Sequence, residues 1–325
     1  MKTDVIRIDP AAPEARTIAR AAEVLRGRRL VALPTETVYG LGARADDAAA
    51  VRRIFEAKGR PAYNPLIVHV ADEAAARGLS SAWPALATRL AEAFWPGPLT
   101  LVVPRDRARV PDEVCAGGDT VAVRCPAHPV ALALLRAVEF GVAAPSANRF
   151  QALSPTTAAH VLKGLDGRVA LVLDAGPCRH GIESTVVDVT GEVPVLLRPG
   201  ALSLAALRAV AGGVREGGSP DGGTRRSPGM DRRHYAPAAR LVAARGDAVE
   251  EARRAAGQRV GLVTWRARGG ADVARLPDDP AGYGAGLYAA LHALDDAGCD
   301  AVVIEELPAG AGWEAVRDRL GRAAG

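Results

Sequence analysis

Short apolar runs alternate with amphipathic stretches through the first two hundred residues. Runs at 31–34, 66–70, 99–103, 121–124, 142–144, 169–173, 185–189 and 193–197 are rich in Val, Leu, Ile and Ala, which predicts strands. The stretch 48–57 gathers Val51, Ile54 and Phe55 on one face and runs into Gly59, which predicts a helix with a glycine stop. Helices are also predicted over 128–138 and 156–162. Several strand-to-strand intervals are too short for a crossover helix. The first unit therefore reads as α/β with a twisted mixed sheet and packed helices.

The pattern breaks at 212–229, which is filled with Gly, Ser, Pro and Arg and reads as a linker. Beyond it, strands are predicted over 241–244, 260–264 and 302–305, and helices over 248–256, 286–297 and 313–323. That alternation predicts a small Rossmann-like α/β domain. No internal repeat and no heptad pattern is present.

Composition narrows the classes. The chain has 325 residues, 49% of them hydrophobic but only 4% aromatic, so the core must be built mainly from Ala, Val and Leu. No apolar run reaches the ~20 residues that span a bilayer. The opening MKTDVIRIDP lacks the apolar core of a signal peptide, so a cytoplasmic location and no membrane contact are expected. Cys115, Cys125, Cys178 and Cys299 have no metal-ligand spacing and read as buried or half-buried free thiols, and no protein-held metal is expected. A net charge of +4 permits a polyanion, or weak RNA binding, without demanding either. Only Lys2, Lys58 and Lys163 among the 41 basic residues are lysines, so a retained lysine is informative.

There is no phosphate-binding loop of the common glycine-rich types. Five segments carry chemistry instead. Pro34-Thr35-Glu36-Thr37-Val38-Tyr39-Gly40-Leu41-Gly42 sets hydroxyls at a strand end. Lys58-Gly59-Arg60-Pro61, continuing through Asn64 to His69, places two cations where one polyphosphate could meet both. Ala144-Pro145-Ser146-Ala147-Asn148 follows another strand. His180-Gly181-Ile182-Glu183-Ser184-Thr185 precedes Leu197-Arg198-Pro199-Gly200. Ser227-Pro228-Gly229-Met230 and Arg233-His234-Tyr235-Ala236-Pro237 sit at the far end of the linker. Read singly, each is an ordinary turn, a helix end carrying cations for its dipole, or linker.

Taken in order, the segments resemble the threonylcarbamoyl-AMP synthase family. Lys58/Arg60 and Ser146/Asn148 stand as its K-x-R and S-x-N signatures. The resemblance covers essentially the whole chain. It implies a YrdC-like catalytic domain over 1–208, a linker that acts as a lid over 209–237, and a Sua-type C-terminal domain over 238–325. It implies condensation of L-threonine, bicarbonate and ATP to threonylcarbamoyl-AMP and pyrophosphate. The product would pass to a separate tRNA threonylcarbamoyl transferase.

Carried over by position, the resemblance implies that Thr37, His69, Arg124, Ala144 and Ser184 hold threonine. Lys58, Arg60, Asn64, Thr120, Ser146, Asn148, Ser154, Arg198 and Tyr235 would hold ATP. Lys58, Arg60, Ser146 and Asn148 would be catalytic. Mg²⁺ is expected on the ATP phosphates rather than in a protein cage. The chain departs from the family at Asp231-Arg232, where Lys-Tyr is common, so a phosphate role for that lysine is in doubt. Two rival readings are a carbamoyl-adenylate enzyme of the hydrogenase-maturation type and a non-catalytic RNA-binding module.

Overall fold

The computed structural model describes residues 2–217, 235–246, 248–255, 259–266, 270 and 272–324. Its first sheet takes eleven strands: β1 (Asp4–Arg7), β2 (Val31–Leu33), β3 (Gly40–Arg44), β4 (Ile67–His69), β5 (Leu99–Pro104), β6 (Thr120–Arg124), β7 (Val142–Ala143), β8 (Leu171–Asp174), β9 (Thr185–Asp188), β10 (Val195–Arg198) and β11 (Arg215–Glu216). They lie in the order β1-β8-β2-β3-β7-β4-β6-β5-β9-β10-β11. The sheet is mixed, as the short intervals require: β4 runs parallel to β6, while β2 and β3 are antiparallel.

Helices cover both faces. Helix α1 (Ala15–Arg26) and the helix Pro129–Ala137 bury Ile18, Leu25, Leu134 and Leu135 against Val31 and Leu33 of β2. On the other face, helix Ala48–Lys58 buries Val51 and Ile54 in a larger core with Leu90, Val161 and Leu207. Asp47 caps that helix by accepting from the Ala50 N–H, and Gly59 ends it in the left-handed conformation at φ 63°. The helix stop therefore fixes where Lys58 and Arg60 leave the helix.

A second sheet has four parallel strands in the order Arg240–Ala244, Ala301–Glu305, Val260–Thr264, Val273–Arg275. Its helix Pro280–Asp296 lies on the first unit. Ile182 and Leu153 there share a core with Tyr283, Leu287, Tyr288 and Leu291. Burial of three or four such side chains contributes on the order of several kcal/mol to this contact. Gly181 is positioned by it: at φ 66° an added Cβ would stand 2.4 Å from the Ala285 carbonyl oxygen, so no side chain fits.

The sequence reading departs from this architecture in places. A helix ends at Ala211 and β11 pairs with β10, so the near part of 209–237 belongs to the first sheet rather than to a linker. The helix expected over 286–297 begins at Pro280. Gly282, Gly284 and Gly286 weaken the local helix signal, yet their bare backbones allow close packing on Pro277, Ile182 and Leu276. The last strand of the first-unit reading starts at Val195 and runs to Arg198, two residues later than expected. Ser227–Met230, Asp231–Arg232 and Arg233–His234 lie outside the described residues.

Candidate functional site

The loop 34–39 joins β2 to the antiparallel β3, and its own hydroxyls fold it. Thr35 Oγ1 lies 2.8 Å from Thr37 Oγ1 and donates to the Val38 carbonyl at 2.6 Å. The loop after β7 locks onto it through the backbone: Leu41 N–H donates to the Pro145 carbonyl and Ala147 N–H to the Tyr39 carbonyl. Two motifs a hundred residues apart thus form one wall.

The neighbouring wall comes from strand register. In the parallel pair β4 and β6, His69 stands beside Arg124 at the strand ends. Arg124 is 3% exposed. Its Nη1 donates to Thr37 Oγ1 at 2.9 Å and its Nε to the Gly97 carbonyl at 3.2 Å. Its Nη2 lies 2.7 Å from Glu36 Oε1. That ion pair is close but not aligned: neither Glu36 oxygen has a hydrogen-bond partner among the described residues. Burial pushes the Glu36 carboxyl up, and the charge and contact of Arg124 outweigh it, leaving the group below its usual range. Burial, then the Arg124 charge, pull His69 down to about 3, so its imidazole is neutral; its Nδ1 also lacks a partner among the described residues.

The third wall is Ser184 with Arg198. Ser184 Oγ lies 2.7 Å from Thr100 Oγ1, and Arg198 donates to the Ser184 carbonyl at 3.0 and 3.1 Å. Gly200 makes this fit possible, since a Cβ there would stand 2.4 Å from the Ser184 backbone. Arg198 Nη1 approaches the Tyr235 hydroxyl at 3.5 Å. Glu183, buried and itself part of this wall, accepts from Ser154 Oγ, the Tyr288 hydroxyl and Arg319 Nε. Burial raises its carboxyl pKa, and Arg319 and Arg198 pull it down by more.

These walls enclose one cleft. All five residues assigned to threonine, Thr37, His69, Arg124, Ala144 and Ser184, line it, together with Arg60, Ser146, Arg198 and Tyr235. Five others assigned to ATP do not line it. Lys58 is 2% exposed, and its Nζ donates to the carbonyls of Ser146 and Asn148, the latter at 2.6 Å; Asn148 Oδ1 lies at 3.5 Å. Asn148 turns its amide to the Arg149 and Ala152 carbonyls. Asn64 is fully buried and accepts from Arg60 through its carbonyl. Ser154 sits behind Glu183. Thr120 opens β6 four residues before Arg124, roughly 13 Å away along the strand. Sequence reasoning missed Glu36 and Glu183, although both stand inside quoted motifs.

No three His, Cys, Asp or Glu side chains among the described residues are grouped to hold a metal ion. All four cysteines are buried free thiols. No described helix is long and apolar enough to cross a membrane. A larger cavity of about 380 Å³, lined by His180, Asp279 and Glu314 among others, has no Lys or Arg in its described lining and does not suit a triphosphate.

The fold and cleft define an α/β protein with Arg60, Arg124 and Arg198 around one cleft. A family profile described as telomere recombination matches residues 23–200, and one described as threonylcarbamoyl-AMP synthase, C-terminal domain, matches residues 202–325. The chain belongs to the threonylcarbamoyl-AMP synthase family. It is 42% identical over 322 residues to the threonylcarbamoyl-AMP synthase of Bacillus subtilis, covering 95% of this chain and 93% of that one. It is 43% identical to that of Pyrococcus abyssi, covering 94% and 93%. The crystal structure of P. abyssi Sua5 complexed with L-threonine superposes with a TM-score of 0.94 at 41% identity, covering 99% of this chain and 98% of that one.

Proposed function

We propose that this chain condenses L-threonine, bicarbonate and ATP to threonylcarbamoyl-AMP and pyrophosphate. The observation that carries the reading is the single cleft in which Arg124, with Thr37, His69 and Ser184, faces Arg60 and Arg198. It gives one carboxylate-sized anchor and a separate pair of cations. The family membership and the threonine-bound P. abyssi relative support the same assignment.

In this reading Arg124 takes the threonine carboxylate as a fork. Thr37, Ser184 and neutral His69 offer uncharged partners to its hydroxyl and amine, and Ala144 closes the wall. The amine adds to bicarbonate with loss of water and becomes a carbamate. A carbamate oxygen then bonds to the α-phosphorus of ATP as the bond to pyrophosphate breaks. ATP enters as its Mg²⁺ complex, with the ion held by phosphate oxygens. Arg60 and Arg198 neutralise phosphate charge, and Ser146 lines the same side. Lys58 and Asn148 act by fixing the 146–148 loop, the Lys58 ammonium being held by the carbonyls of Ser146 and Asn148 and by Asn148 Oδ1. Tyr235 shields the labile product from water. Catalysis is positioning and charge neutralisation, without a covalent enzyme intermediate. The adenylate then serves a separate enzyme that modifies adenosine in tRNA.

The test is substrate dependence. ATP should be converted to AMP and pyrophosphate only when threonine and bicarbonate are both present, with threonylcarbamoyl-AMP detected by mass. Pyrophosphate release that ignores threonine would overturn the reading.

A further inference from the structure

The last helix, Glu314–Ala324, sends one side chain toward the cleft. Arg319 heads the largest fully buried side chains among the described residues, and no part of its side chain is exposed. Burying a guanidinium so completely is costly unless it is bound on several sides. Its Nε donates to Glu183 Oε2 at 2.6 Å, and its Nη1 to Asp318 Oδ2 at 2.5 Å. Its guanidinium carbon stands 5.1 Å from the centre of the Tyr235 ring. A desolvated guanidinium over an aromatic face is the stronger form of that contact.

Tyr235 is held on three sides. Its ring meets Arg319, tilts against Tyr288 at 6.0 Å between centroids, and brings its hydroxyl toward Arg198. Its backbone is left-handed at φ 61°, a conformation that a residue with a side chain adopts only when its surroundings impose it. Ala236 fixes the following peptide by donating to the Gln151 carbonyl. The same Arg319 also anchors Glu183, whose neighbour Ser184 lines the cleft.

We propose that Arg319 is a positioning residue for the nucleotide end of the cleft: it touches no substrate and acts by pinning Tyr235, beside Arg198, into the cleft wall. The C-terminal unit thereby completes a site whose other substrate-facing residues belong to the first unit. This rests on the synthase reading above, which the unmodified protein tests by itself.

The experiment is a double-mutant cycle on the full chain, with Arg319→Lys, Tyr235→Leu and the pair. Lysine keeps the charge that Glu183 needs but lacks the flat guanidinium face. Arg319→Lys should raise the ATP KM about tenfold, the scale of a buried cation–π contact. The kcat and the threonine KM should stay within about threefold. In the Tyr235→Leu background, Arg319→Lys should change the ATP KM by less than about twofold, because the two act as one unit. An unchanged ATP KM in folded Arg319→Lys, or full additivity in the pair, would overturn the proposal. A melting curve checks folding. If Arg319→Lys does not fold, the charge-neutral pair Arg319→Met with Glu183→Gln is compared with Glu183→Gln alone, with the same outcomes deciding. A wild-type chain inactive with all three substrates would defeat the synthase reading instead, a result distinct from either.

Discussion

Glu36 and Glu183 are both buried carboxylates facing a buried arginine, and they are held in opposite ways. Glu183 is closed: both oxygens accept hydrogen bonds, from Ser154, Tyr288 and Arg319. Glu36 is open: Arg124 stands 2.7 Å away, yet neither carboxylate oxygen has a hydrogen-bond partner among the described residues. Arg319 Nη2 lacks a hydrogen-bond partner among the described residues, but a saturated carboxylate such as Glu183 has nothing to gain by exchanging partners. An unsaturated one gains when a ligand carboxylate supplies the missing geometry. Glu183 lines the cleft and ties it to the C-terminal unit through Arg319, whereas Glu36 stands behind the cleft and reaches it through Arg124, so saturation separates the clasp from the substrate anchor.

Breaking the closed pair should have the largest effect. Glu183→Ala leaves Arg319 buried beside no strong acceptor except Asp318, and should cost about 3–5 kcal/mol of stability in urea unfolding. A loss below about 1 kcal/mol would mean that the pair is not a clasp. The open pair should respond mainly in binding. Arg124→Ala should weaken threonine by roughly 2–5 kcal/mol in titration calorimetry while ATP affinity changes little. Equal losses for both ligands would remove the distinction between the threonine end and the phosphate end. Smaller still is Glu36→Gln, which leaves the Arg124 charge without its internal partner. Threonine should then bind up to about tenfold more tightly. Weaker binding would show that Glu36 holds Arg124 in place for the substrate rather than standing in for it.

The open pair was half legible in the sequence, and the closed pair hardly at all. Arg124 was named through the family resemblance, and its place at the end of a predicted apolar strand, where such sheets carry ligands, agrees with that. Glu36 sat in view within Pro34–Gly42 but passed for turn polarity. Arg319 is one arginine in a chain where almost every basic residue is arginine, on a helix with ordinary charged spacing; nothing local marks it as buried. Its partner lies 136 residues away, and only the packing of Pro280–Asp296 on Ile182 brings the two together. The fold follows the same rule. Strong apolar runs were legible, whereas helix Ala15–Arg26 was missed because half of its inward face is alanine or threonine. Lys58 stood out as a retained lysine, but its two carbonyl contacts depend on a loop 88 residues further on.

At neutral pH the smallest effect is expected from a change that tests the clasp by its pH dependence. Beside the closed pair, His160 and His292 stack across the contact, with ring centres 3.9 Å apart and planes 22° from parallel. His292 Nε2 reaches the Ser154 carbonyl at 3.2 Å, and Lys163 and Asp296 pair close by. Burial chiefly, with the neighbouring ring and Lys163, brings His160 down to about 4; burial and Lys163 bring His292 to about 4 as well. An unfolded histidine titrates near 6.5. Between about pH 6.5 and 4 the unfolded chain therefore binds more protons than the folded one. Stability from these groups is fully present above about pH 6.5 and is lost as pH falls toward 4. Glu183, held below its usual range, loses its contribution only at lower pH, as the medium reaches its folded pKa. The two halves of the clasp thus fail in sequence, histidines first. His292→Phe keeps a ring on His160 and removes one proton site. Its stability, measured by urea unfolding across this window, should fall with a slope shallower by up to one proton, roughly 1.4 kcal/mol per pH unit. The threonine KM at pH 7.5 should stay within about threefold, since the stack lies behind the cleft wall rather than in it. Identical slopes for the two proteins would take the stacked pair out of the clasp and leave Glu183 and Arg319 to hold it alone.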